Sequence, residues 1–66
     1  MENRLKRIRK EHGFTQASLA RDSGVHRTSI ARYETGKRGL STKSLRRLAD
    51  TLKVPVDDLM EREEPA

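Results

Sequence analysis

Apolar residues recur along this chain at helical spacing. Leu5 and Ile8 stand three apart in the run Glu2 to His12, the inward stripe of a first helix that Gly13, suited to the left-handed position, would end. Phe14 follows as an anchor between the first two helices. The stretch Thr15 to Lys37, TQASLARDSGVHRTSIARYETGK, then carries two short helical patterns joined at Gly24. Thr15 is placed to cap the first of these, and Ser18, three residues on, is not the Glu of a full capping box. Leu19 and Ala20 face inward, and Ala20 is small enough for two helices to cross steeply beside it. In the second pattern a helix advances about 100° per residue, so with Arg27 at zero Ala31 falls near ~40°, Thr28 near ~100° and Arg32 near ~140°. Tyr33 and Ile30 fall near ~240° and ~300°. One face is apolar, and the other presents two arginines, a hydroxyl and a methyl, as a helix must if it packs on its own domain and reads a groove.

Beyond this pair, Leu45, Leu48, Ala49 and Leu52 recur at i, i+3, i+4, i+7 in a fourth helix from Thr42 to Lys53, capped by Ser41 or Thr42. This is the strongest amphipathic signal in the chain, and it marks core. Val56 to Glu61 reads as a short final helix, with Asp57 and Asp58 at its positive end and Pro55 suited to its start. The result is an all-α fold of five helices over residues 1–61, with the two-helix motif at 15–36 and a frayed charged tail at 62–66.

Charge changes what this scaffold is for. The 66 residues are 32% hydrophobic and 38% charged, with a net charge of +5 that is unevenly spread. Residues 1–47 hold 13 Lys/Arg against four acids (+9), and residues 48–66 hold two against six (−4). A basic body with an acidic end suits a polyanion, nucleic acid before membrane, although a solvated charged surface has the same composition. Gln16, at a helix N-terminus with free backbone N–H groups, is a phosphate-contact candidate. So is Lys43, the basic residue of the fourth helix nearest the preceding loop. Arg4, Lys6, Arg7 and Lys10 serve either solubility or phosphate contact. With no cysteine there is neither disulfide nor cysteine-ligated zinc, and two histidines without a carboxylate cluster predict no metal and no cofactor. Paired interior carboxylates, a Gly-rich phosphate loop and a His cluster are all missing, so an enzyme is not expected. No apolar run approaches the roughly 18 residues of a membrane span, and a cytoplasmic location follows as an expectation.

The spacing Gln16, Leu19, Ala20, Gly24, Val25, Ser29, Ile30, Glu34, Gly36 resembles the Cro and phage-repressor class of helix-turn-helix domains. The flanks NRLKRIRKEHGF and LRRLADTLKVPVDDLM share in the resemblance, so nearly the whole chain is covered. It implies a lambda-repressor-like bundle of five helices, acting as a homodimer that places each third helix (about 26–34) in the major groove of a palindromic double-stranded operator. It further implies Arg27, Thr28 and Arg32 as base readers, with Ala31 against a thymine methyl. Thr15 and Gln16 become backbone clamps, and Thr35, Lys37 and Arg38 fall in a loop along the sugar-phosphate backbone. The same resemblance implies an ion pair between Arg9 and Glu34 that ties the first helix to the end of the third.

Three positions depart from the family pattern. His26 stands where Ser or Thr usually caps the third helix, and is either a turn filler or a phosphate donor. Lys53 replaces a glycine common before Val54, and Pro55 replaces a frequent serine cap. Val56, Leu59 and Met60 are more apolar surface than a short terminal helix must bury. They are expected to form a dimer interface, with plain core closure as the alternative. An antitoxin-like or co-regulator module, gripping another protein through this C-terminal helix, is the competing function. No small-molecule ligand is expected in either case.

Overall fold

The computed structural model describes residues 3–60, which form four α-helices and a single 3₁₀ turn: α1 Arg4–Glu11, α2 Gln16–Ser23, α3 Arg27–Glu34, α4 Thr42–Leu52, and the turn Val56–Asp58. The architecture is all-α, as the periodicity predicts. The expected fifth helix is replaced by the 3₁₀ turn, closed by the bonds from Asp58 N to Pro55 O and from Leu59 N to Val56 O. Only Val56 and Leu59 pack inward there. Residues three apart eclipse on a 3₁₀ turn, so one turn brings both to the core while Asp57 and Asp58 stay in water. The expected tail at 62–66, with Glu2 and Glu61, lies outside the described residues.

Helix starts follow local chemistry. The first helix begins two residues later than its polar–apolar pattern implies, because Asn3 caps it: Asn3 Oδ1 accepts from Leu5 N at 2.8 Å and Lys6 N at 3.3 Å. At α2 the capping box is complete, contrary to expectation. Thr15 Oγ1 accepts from Ser18 N at 3.0 Å, and Ser18 Oγ accepts from Thr15 N at 2.9 Å. A serine hydroxyl can accept from the cap's N–H as a glutamate would, and here it is near enough. Ser41, rather than Thr42, caps α4.

Helix ends share one geometry. After α1, α3 and α4 the chain passes through a left-handed residue, and two backbone N–H groups bond back to the last turn, as with Gly36 N to Tyr33 O and Lys37 N to Arg32 O. At the α2–α3 corner Gly24 takes φ +76°, and a Cβ there would meet nothing closer than Arg47 Nη1 at 3.6 Å. Backbone conformation, rather than space, makes this residue a glycine. Lys53 takes the left-handed position after α4 with φ +58°, the one described non-glycine residue with positive φ.

The four helices close around Leu5, Ile8, Leu19, Val25, Ile30, Tyr33, Leu45, Leu48, Ala49, Leu52 and Leu59, with Phe14, Ala20, Leu40, Val54 and Val56 partly buried against them. Leu59 corrects an expectation. It is fully buried within the single chain, so its side chain closes the core and is not available to a dimer interface.

Candidate nucleic-acid interface

The face that α3 turns away from the core is set by the burial of Ile30, Tyr33 and Glu34. Opposite them Arg27, Thr28 and Arg32 are exposed, and Ala31 is half-buried at the edge. All four residues of the expected reading surface therefore lie on one helix in the predicted arrangement. His26 precedes them, exposed and making no side-chain cap, so the first N–H groups of α3 have no side-chain acceptor.

Glu34 is the only acid between Asp22 and Asp50, and it is withdrawn from the surface. Its carboxylate accepts from Arg9 Nε at 2.7 Å, Arg9 Nη2 at 3.0 Å and Gln16 Nε2 at 3.1 Å. The side chains of Arg9 and Glu34 are only 9% and 2% exposed. Arg9 Nη1 also donates to the Phe14 carbonyl at 2.9 Å. One buried, paired carboxylate thus binds α1, the start of α2 and the end of α3. Between Asp22 and Asp50 the exposed charged side chains are therefore all cations, namely Arg27, Arg32, Lys37, Arg38, Lys43, Arg46 and Arg47. Such a one-signed surface raises the local concentration of a polyanion.

The remaining expected contact residues surround α3. Gln16 is half-buried, its amide held by Glu34, so its position follows that of the α3 terminus. Thr15 is exposed with its hydroxyl in the capping box, and the Thr35 hydroxyl donates to Ala31 O and Arg32 O, both at 3.1 Å. Lys37 and Arg38 are exposed in the α3–α4 loop, and Lys43 is exposed in the first turn of α4. Arg32 and Arg38 line one polar depression together with Ser29, Ser41 and Ser44, which joins the exposed face of α3 to the loop. Of the expected interface trio, Met60 is 41% exposed and is the one exposed large hydrophobic among the described residues. Val56 is half-buried.

Two groups absent from the expected set help to position α3. Asn3 Nδ2 donates to the Tyr33 carbonyl at 3.1 Å, and the Tyr33 hydroxyl donates to the Leu59 carbonyl at 2.6 Å. Asn3 carried a signal, since asparagine is a favoured helix cap. Nothing in the sequence announced the tyrosine bond, which spans 26 residues.

Profile comparison then decides the family, because a helix-turn-helix model matches residues 5–59, the described fold almost end to end. The chain belongs to the Cro/C1-type helix-turn-helix family. This helix-turn-helix chain is 40% identical over 57 residues to the transcriptional repressor RghR of Bacillus subtilis, covering 85% of the chain and 42% of RghR. It is 38% identical over 63 residues to the cryptic phage CTXphi transcriptional repressor RstR of Vibrio cholerae, covering 94% of the chain and 55% of RstR. It thus spans between two fifths and just over half of the length of these relatives. Among solved structures it resembles the restriction-modification controller protein C.AhdI from Aeromonas hydrophila, with a TM-score of 0.82, 31% identity and 88% of each chain covered. Among the described residues no helix is long and apolar enough to cross a membrane, and no His/Cys/Asp/Glu group could hold a metal ion.

Proposed function

We propose that the chain is a sequence-specific regulator that binds a palindromic operator as a homodimer, with residues 1–61 as the DNA-binding unit, and that it acts in the cytoplasm. The observation that carries this reading is the divided α3 helix: Arg27, Thr28, Ala31 and Arg32 outward, Ile30 and Tyr33 inward, and its one acid buried against Arg9. In this reading α3 enters the major groove. Arg27 and Arg32 address guanine O6 and N7, Thr28 a base edge, and Ala31 a thymine methyl. Thr15, Gln16, Thr35, Lys37, Arg38 and Lys43 hold phosphates and supply most of the affinity, with a steep dependence on salt.

The dimeric part of the proposal rests on Met60 and Val56, an exposed and a half-buried apolar residue beside the 3₁₀ turn, with a second copy of the chain as the occupant. Two α3 helices about 34 Å apart would then read half-sites one helical turn apart. Selecting bound sequences from a random DNA pool tests the whole reading, since a palindrome reveals both half-site and dimer. On the selected operator Arg32→Ala is expected to lose about 1–3 kcal/mol of discrimination. Lys37→Ala should weaken operator and random DNA alike and lower the salt slope by about 0.9. Equal losses on operator and random DNA for Arg32→Ala would refute the base-reading assignment.

A second reading draws on a match to the antitoxin PezA of Streptococcus pneumoniae, 34% identical over 56 residues. There the Met60 surface meets a different protein. A stable monomer in light scattering, binding all DNA equally weakly, favours that alternative.

A further inference from the structure

The bond between Tyr33 and Leu59 links the two surfaces on which the proposed function depends. Tyr33 lies on α3 between Arg32, which faces outward, and Glu34, which is buried. Its ring belongs to the core, and its hydroxyl reaches the Leu59 carbonyl at 2.6 Å. Leu59 closes the 3₁₀ turn, and Met60, the next residue, is the exposed apolar side chain. The last carbonyls of a helical turn have no partner within it, so the tyrosine supplies one that the local backbone cannot. A buried bond of this length holds the Leu59 carbonyl, and with it the end of the turn, at a set distance from α3. The C-terminal end of α3 is held as well, by Asn3 on the Tyr33 carbonyl and by Arg9 on Glu34.

We infer that Tyr33 is a positioning residue for operator spacing: by bonding the Leu59 carbonyl, it fixes the offset between the Met60 contact surface and the reading face of α3. The inference rests on the dimeric reading above. If two copies meet at Met60, the distance between their α3 helices is twice the offset within one chain. Any slack in that offset is therefore doubled across the dimer. One base pair more between half-sites moves a site by about 3.4 Å and turns it by about 35°. A rigid link refuses that displacement, and a loose link follows it at the cost of selectivity.

A bond that merely stabilised the fold would, when removed, weaken binding to every operator in the same proportion. A positioning bond changes the profile over spacing. Wild-type, Tyr33→Phe and Pro55→Gly chains are therefore compared on the selected operator, on operators with one base pair added or removed between half-sites, and on an isolated half-site. Circular dichroism at the assay temperature establishes that each chain is folded. Pro55→Gly keeps the hydroxyl but frees the backbone leading into the 3₁₀ turn, so it carries the test if Tyr33→Phe does not fold. The wild type is expected to prefer its own spacing by about tenfold or more, the loss of roughly one good base contact. Both variants are expected to keep half-site affinity within about threefold of wild type, an ordinary lost hydrogen bond, while their spacing preference falls by at least that factor. Retention of the wild-type preference, with affinity lowered uniformly on all operators, overturns the positioning role. A wild-type chain indifferent to spacing refutes the dimeric reading instead, and is recognised before any variant is measured.

Discussion

Replacing Glu34 with alanine removes the acceptor for Arg9 Nε at 2.7 Å, Arg9 Nη2 at 3.0 Å and Gln16 Nε2 at 3.1 Å. The Arg9 guanidinium keeps its bond to the Phe14 carbonyl but loses its counter-charge in a place where it is only 9% exposed. Breaking a buried pair from one side costs about 3–5 kcal/mol, because a charge is left without compensation. A domain of this length has about 3–10 kcal/mol of stability in total, so the loss consumes about three tenths of it at the least. At about 4–8 °C per kcal/mol, even ~3 kcal/mol lowers the melting temperature by roughly 12–24 °C. The assay is urea and thermal unfolding of Glu34→Ala and of the double variant Arg9→Met/Glu34→Leu, followed by circular dichroism. The double variant is expected to recover most of the loss, since apolar replacement of both partners is often neutral. Its operator affinity is expected to stay below wild type, because Gln16 loses the group that holds it. A cost below about 1 kcal/mol for Glu34→Ala, the range of exposed pairs, would refute the argument.

The other expectations concern positions where the chain departs from its family or exposes an unusual side chain. Lys53→Gly is expected to raise stability by up to about 1 kcal/mol, as relief of the left-handed conformation outweighs the added freedom of the unfolded chain; a lower urea midpoint would count against it. His26→Ser supplies the cap that α3 lacks and should add about 0.5–1 kcal/mol to thermal stability, and no gain would mean that the helix start is already satisfied. Met60→Asp should leave the fold intact, since the side chain is exposed, yet yield a monomer in sedimentation and abolish cooperative operator binding. An unchanged dimer would place the interface elsewhere.

Much of this was legible from periodicity and caps. The stripes Leu5/Ile8 and Leu45/Leu48/Ala49/Leu52 gave α1 and α4, and Gly24 between Leu19 and Ile30 gave the α2–α3 corner. The division of α3 into buried and exposed faces is a matter of 100° steps, and it needs no partner to be computed. What the periodicity misplaced is instructive. Val56, Leu59 and Met60 carry the same apolar signal, but Leu59 fills the core while Met60 stands in water. Spacing gives a relative angle on an element. Whether that angle meets a neighbour depends on where the other helices lie.

The sequence by itself determined the four α-helices, though it added a fifth that the structure replaces with a 3₁₀ turn, and it determined their inward faces and a basic surface centred on α3, because each follows from residue order within a dozen positions. Only the tertiary structure decided which polar groups meet across the chain. Asn3 with Tyr33 is separated by 30 residues and Gln16 with Glu34 by 18, while Arg9 with Glu34, 25 apart, is expected beforehand only through the family resemblance. No local rule selects such pairs. They form because burying each apolar stripe fixes the helices against one another, and the polar groups left at the seams must then find partners there.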